Sequence, residues 1–248
     1  MPLDESVMKS SLFIGIILLS GLLAGVILGL VNLLIVEPFL DSAINIENQN
    51  LFKSGEAQDT PSFWANYYSY RAWQKGGEVL AGAILGLAFG SLFGIVFGLS
   101  KNVLPGKNLI KKALVLALIM WSVLYVIPFA KYPANPPTVG DPATIEFRQT
   151  TYAAFVAISG LGALGFYQIY KRVNKKTITF AGYAGFMIAV FVLMPPNPDA
   201  VKIDSGLLAN FRATSMVGIT VFWGSIAVIL GALWQKTQPD RVSQESYR

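Results

Sequence analysis

An all-α integral membrane protein is the fold class this sequence predicts. Three observations carry it: six long apolar runs, a charged fraction of only 13% in 248 residues, and lysines and arginines sorted by loop. The runs cover about 11–39, 79–100, 113–130, 151–170, 178–195 and 213–234. Each is long enough to cross a hydrocarbon core of ~30 Å as a helix. In that medium every backbone N–H and C=O must find a partner within the chain, which favours helices. Soluble domains carry roughly twice this charged fraction. Six spans and their connections use nearly the whole sequence, so 1–248 reads as a single membrane domain. The first run is too long for a cleavable leader and passes straight into Glu37-Pro38.

The order of the charges orients the six spans. Lys101, Lys107, Lys111 and Lys112 follow the second run, and Lys171, Arg172, Lys175 and Lys176 follow the fourth. Lys9, Lys236, Arg241 and Arg248 add positive charge at the ends. The other three connections hold most of the acids: Glu37, Asp41, Glu47, Glu56, Asp59, Asp141, Glu146, Asp199 and Asp204. The positive-inside rule then puts both termini in the cytoplasm, in a multi-pass protein of the cell membrane. The spans become three hairpins with acidic outer loops. In this setting the net charge of +5 reports topology and contact with lipid headgroups, not a nucleic-acid partner.

The first outer connection, 38–77, is the longest, and its Phe63–Trp73 stretch is crowded with aromatics. It reads as an extracytoplasmic loop bearing a short interfacial helix. The next two hairpins resemble one another. Tyr132-Pro133-Ala134-Asn135-Pro136-Pro137 ends the third run, and Phe147-Arg148 opens the fourth. Met194-Pro195-Pro196-Asn197-Pro198 ends the fifth, and Phe211-Arg212 opens the sixth. Glu37-Pro38 and Arg71 make the first hairpin a weaker third copy, so the expectation is parallel pseudo-repeats about an axis along the membrane normal. Arginine at a helix start is badly placed for the macrodipole. Arg148 and Arg212 therefore call for partners such as Asp141, Glu146, Asp204 or a turn carbonyl, and read as anchors of the outer loops.

Glycine marks the helix contacts. The first run has Gly21, Gly25 and Gly29; the second has Gly82, Gly86, Gly90, Gly94 and Gly98. Residues four apart stack on one helix face, and a glycine face admits a second backbone.

Chemistry is bounded by what is missing. The sequence has no histidine and no cysteine. Disulfides and His-based proton relays are excluded, and a metal would have to be met mainly by oxygen ligands. No phosphate loop, zinc motif or nucleophile elbow occurs, so the chain reads as a non-enzyme without a cofactor. No acid or base sits mid-span, which argues against a proton pump or voltage sensor. The remaining candidate is a cation mouth at the outer ends of the spans. Its carboxylates are Glu37, Glu78, Asp141 and Glu146, with Asn135 and Asn197 as neutral oxygen donors. A competing reading is a non-transporting scaffold or assembly subunit that binds partner proteins through the glycine faces and outer loops. A carrier of an organic solute is a third.

The stretch from Tyr132 to Pro142, Tyr-Pro-Ala-Asn-Pro-Pro-Thr-Val-Gly-Asp-Pro, followed by Ile145 and Arg148, resembles the CbtA family of proposed cobalt transporter subunits. The hydrophobic pattern, glycine-rich first spans and length are similar too. The resemblance implies a multi-spanning subunit that handles Co²⁺ for cobalamin synthesis. It also implies a small single-span partner of the CbtB type, which carries histidines where this chain has none.

Overall fold

The computed structural model describes residues 10–137 and 139–239. Lys9, Arg241 and Arg248, counted above for orientation, and Thr138 of the connection after the third apolar run lie outside the described residues. The chain is helical, with no strand among the described residues. Helix α1 (Ser10–Val31) runs through a π-turn, Asn32–Val36, into α2 (Glu37–Ser54). Helix α3 (Pro61–Ser100) follows. Helix α4 (Leu109–Trp121) runs through a second π-turn, Ser122–Val126, into α5 (Ile127–Lys131). A 3₁₀ turn, Pro142–Thr144, leads into α6 (Ile145–Val173), and α7 (Lys176–Leu193) and α8 (Ser205–Thr237) follow. Among the described residues, six helical stretches are long and apolar enough to cross a membrane, as the apolar runs predict: Ser11–Ser54, Pro61–Ser100, Leu109–Lys131, Pro142–Val173, Lys176–Leu193 and Ser205–Thr237.

Local chemistry sets the ends. Thr60 caps α3 by accepting from Phe63 N at 3.3 Å, with Pro61 in the first turn, where its missing N–H costs nothing. Asp204 caps α8 by accepting from Leu207 N at 2.8 Å. Gly55 closes α2 at φ 79°, a conformation that suits glycine. Asn174 closes α6 at φ 54°, after Lys171 and Arg172 in the last turn, where cations suit the helix dipole.

The 38–77 segment differs from the long loop with one short helix read from the sequence. α2 and the first half of α3 extend the flanking spans through it, leaving only a turn around Gly55–Thr60. Aromatic packing holds that turn. Trp64 meets Phe52, Phe63, Tyr67 and Tyr68 and donates to Asp59 at 2.7 Å.

Both π-turns sit two residues ahead of a proline, Pro38 or Pro128. Glu37 N–H reaches back to Asn32 O, and Ile127 N–H to Ser122 O, five residues in each case. A proline inside a helix lacks the donor, and its ring crowds the preceding turn; a π-turn widens the helix there and bends it.

The described chain divides into two compact units. One takes in the residues up to Pro38, Leu51–Leu118 and those from Thr214 onward; the other takes in Phe39–Asn50 and Ile119–Ala213. In the first unit, α1 and α3 meet backbone to backbone. A Cβ placed on Gly90 would lie 2.5 Å from Gly21 Cα, and one on Gly86 2.7 Å from Gly25 Cα. Gly82 faces Gly25 and Gly29 in the same way. Gly94 and Gly98 instead receive side chains, from Ile17 and from Phe13 and Trp234. The C-terminal part of α8 packs on this pair through Phe222, Trp223 and Trp234 against Phe89, Phe93 and Phe97. In the second unit α6 packs against α7 and the second π-turn.

Candidate functional site

In the first unit, Glu37 ends the first π-turn, and the close approach of α1 to α3 lets Arg71 reach it. Each residue is only 6% exposed. Arg71 Nη2 donates to Glu37 Oε2 in a buried ion pair, while Arg71 Nη1 donates to Gln74 Oε1 at 2.7 Å. Lys75 Nζ stands 3.9 Å from the same Glu37 oxygen. Glu78 joins this group through its electrostatic coupling to Glu37, Arg71 and Lys75. Its Oε2 is buried without a hydrogen-bond partner. Two carboxylates thus accompany two cations, one pair hydrogen-bonded and the other carboxylate with its Oε2 left without such a bond.

In the second unit, the loop after α5 and the loop after α7 exchange their arginine partners. Arg148, in the first turns of α6, forms an ion pair with Asp199, its Nε 3.0 Å from Oδ2, while that Nε–H donates to Thr144 Oγ1 at 3.1 Å. Asp199 also accepts from Thr144 Oγ1 at 2.8 Å and Asp141 N at 3.2 Å, and its side chain is only 8% exposed. Arg212, at the start of the sixth span, donates to Ala134 O at 3.1 Å and Asn135 Oδ1 at 2.7 Å. A turn carbonyl is among the partners the sequence reading names for it. Tyr132 OH adds a third tie, to Pro195 O at 2.6 Å.

The two Pro-Asn-Pro turns are therefore held differently. Asn135 is engaged by an arginine, whereas Asn197 Oδ1 accepts from its own turn, Asp199 N, at 3.1 Å. Asp141 Oδ1 caps the 3₁₀ turn by accepting from Ala143 N at 2.9 Å. Glu146 is exposed in the first turn of α6, where the helix dipole suits an acid.

A family model described as "Probable cobalt transporter subunit (CbtA)" matches residues 11–235. The chain belongs to the CbtA family. No curated protein and no solved structure matches it. The match covers all six candidate spans apart from the last residues of α8, and every candidate site residue in this CbtA chain falls inside it.

The structure brings these residues together in two sets, each described within its own unit. Glu37 and Glu78 share the Arg71–Lys75 cluster. Asn135, Asn197 and Arg148 line one cleft of about 370 Å³, between Tyr132 and Tyr152. Asp141 lines another of about 360 Å³ with Asp199 and Lys202. Glu146 lines neither. Among the described residues no three acidic side chains converge on one point. A cation bound in either set would meet oxygen ligands of low number and compete with an arginine already in place.

Asp199 and Lys75 are the residues the sequence reading did not single out. Asp199 follows Asn197-Pro198, and an acid beside a turn is ordinarily solvated; only the three-dimensional approach of Arg148, Thr144 and Asp141 N gives it partners. A signal was present in the unplaced arginine itself, which needed an acid close by.

Proposed function

We propose that this CbtA chain passes a divalent cation, Co²⁺, across the cell membrane into the cytoplasm and so supplies cobalamin synthesis. The observation that carries the reading is the family match over residues 11–235, joined to six spans whose polar and charged clusters are gathered into two sets. Both termini and the two basic connections are cytoplasmic in this reading. The cation enters at the acidic outer loops, where Asp141 and Glu146, helped by the Asn135 and Asn197 oxygens, meet it first. Glu37 and Glu78 form the second set. Oxygen ligands discriminate weakly between Co²⁺, Mn²⁺ and Mg²⁺. A single-span subunit of the CbtB type with histidines would supply the missing selectivity. The scaffold alternative is weakened because the α1 and α3 glycine faces close on one another, leaving no such groove for a partner.

Asp141→Asn combined with Glu146→Gln is expected to cut cobalt uptake into cells several-fold while abundance is retained, since Asn keeps the capping oxygen at position 141. Metal content in cells with and without the protein gives the baseline. Full uptake after neutralising Glu37, Glu78, Asp141 and Glu146 together would end the cation-mouth reading. Orientation has its own test in this cysteine-free chain. A cysteine placed at Lys107 or Lys175 is expected to react with an impermeant thiol reagent only in opened cells, and labelling of intact cells would invert the topology.

A further inference from the structure

Span three is interrupted at its outer end, and one backbone group there is handed to a side chain of a second helix, which a third helix holds in place. Within the π-turn, Ile127 N–H bonds Ser122 O, five residues back. The next bond in that pattern would run from residue 128 to Val123 O, but residue 128 is proline and has no N–H. The Val123 carbonyl is taken instead by Ser159 of α6, whose Oγ donates to it at 2.6 Å. Ser159 is fully buried. Tyr183 of α7 completes the group, with its hydroxyl 2.9 Å from Ser159 Oγ and donating to Ser159 O at 3.2 Å. A carbonyl left bare at this depth would be costly, so the Ser159 hydroxyl, itself held by Tyr183, meets a real need.

Beyond the bend lies a short lever. The five residues of α5 connect the π-turn to Tyr132–Pro137, the turn whose Ala134 and Asn135 receive Arg212 and whose Tyr132 reaches Pro195. A change of bend at Ser122–Val126 must move that turn, because a helix of one and a half turns cannot absorb it internally. The same turn lines the cleft that holds Asn135, Asn197 and Arg148.

We propose that Ser159 and Tyr183 are positioning residues that latch the hinge of span three, and that releasing the Val123 carbonyl from them opens the outer turn around Ala134. The geometry that carries this is the pairing of a proline-orphaned carbonyl with a buried hydroxyl from a neighbouring helix. The inference rests on the transport reading only for its consequence, that the outer cleft opens when the latch lets go. Its test measures access to the turn and involves no metal.

The test uses the full chain in lipid nanodiscs, with a single cysteine introduced as Ala134→Cys or, as a remote reference, Lys107→Cys. The reaction rate of an impermeant maleimide is read in each background. Ser159→Ala and Tyr183→Phe are each expected to speed labelling at Ala134→Cys by about fivefold, the equilibrium factor of one net hydrogen bond, with Lys107→Cys unchanged. Pro128→Ala restores the backbone donor and makes the hydroxyl redundant, so Ser159→Ala in that background is expected to change nothing. Any loss of folded protein in Ser159→Ala is expected to be recovered by Pro128→Ala. Unaltered labelling at Ala134→Cys in both hydroxyl variants overturns the proposal, as does an equal effect of Ser159→Ala with and without Pro128, or a folding loss that Pro128→Ala leaves in place.

Discussion

Gly90→Leu is expected to separate α1 from α3 and to leave little folded protein at physiological temperature. A leucine there has no place to go: its Cβ alone would stand 2.5 Å from Gly21 Cα, and the obstacle is backbone, which cannot swing aside as a side chain can. Overpacking a tight contact costs about 3 kcal/mol or more when the neighbours cannot yield. Lipid solvates leucine as well as a helix does, so no hydrophobic gain draws the parted helices together again. Gly15→Leu, on α1, is the control, because a Cβ at Gly15 meets nothing within 4 Å. Its effect is expected within ~0.5 kcal/mol. Thermal unfolding and size-exclusion profiles of the two purified variants decide the matter. Wild-type behaviour of Gly90→Leu would mean that the two helices do not touch there.

Arg71→Met is the second large effect. It strips the guanidinium from Glu37 and leaves a carboxylate in a site where both partners are 6% exposed. Breaking a buried pair from one side typically costs about 3–5 kcal/mol, because an uncompensated charge remains. Lys75, already 3.9 Å away, offsets part of that loss. Adding Glu37→Gln to Arg71→Met removes the stranded charge and is expected to recover much of the lost stability. A double variant no more stable than Arg71→Met alone would show that Arg71 is held for other contacts. The measurement is the unfolding midpoint in detergent at fixed lipid content.

The spans were legible because a bilayer demands long apolar runs and the sequence supplies them without interruption. Glycine at every fourth position was legible for a similar reason: helical periodicity puts Gly21, Gly25 and Gly29 on one face whatever surrounds them. The register between the two glycine faces was not, and Gly94 and Gly98, alike in spacing, turn out to receive side chains from Ile17, Phe13 and Trp234. The extension of α2 and α3 through 38–77 was hidden by polarity, since polar composition outside an apolar run suits loop and helix alike. The π-turns left only Pro38 and Pro128 as clues, because a hydrophobic pattern does not record which carbonyl a given N–H will reach. At the candidate site, the need of Arg148 and Arg212 for partners could be read from their place at helix starts. Arg148 choosing Asp199, and Arg212 choosing Asn135, depend on two loops passing close together, which no spacing along one segment encodes.

That exchange fixes an order of events while the chain is being made. Asp199 is synthesised well after Arg148, and Arg212 emerges 78 residues after the carbonyl of Ala134 that it binds. Until the loop after α7 and the start of α8 exist, Arg148 has only Thr144 and the Asp141 carbonyl of its own segment, and Asn135 lacks its arginine. Neither loop gains its full set of ties alone, so a chain stopped before Arg212 leaves the turn at Ala134 and Asn135 without its arginine.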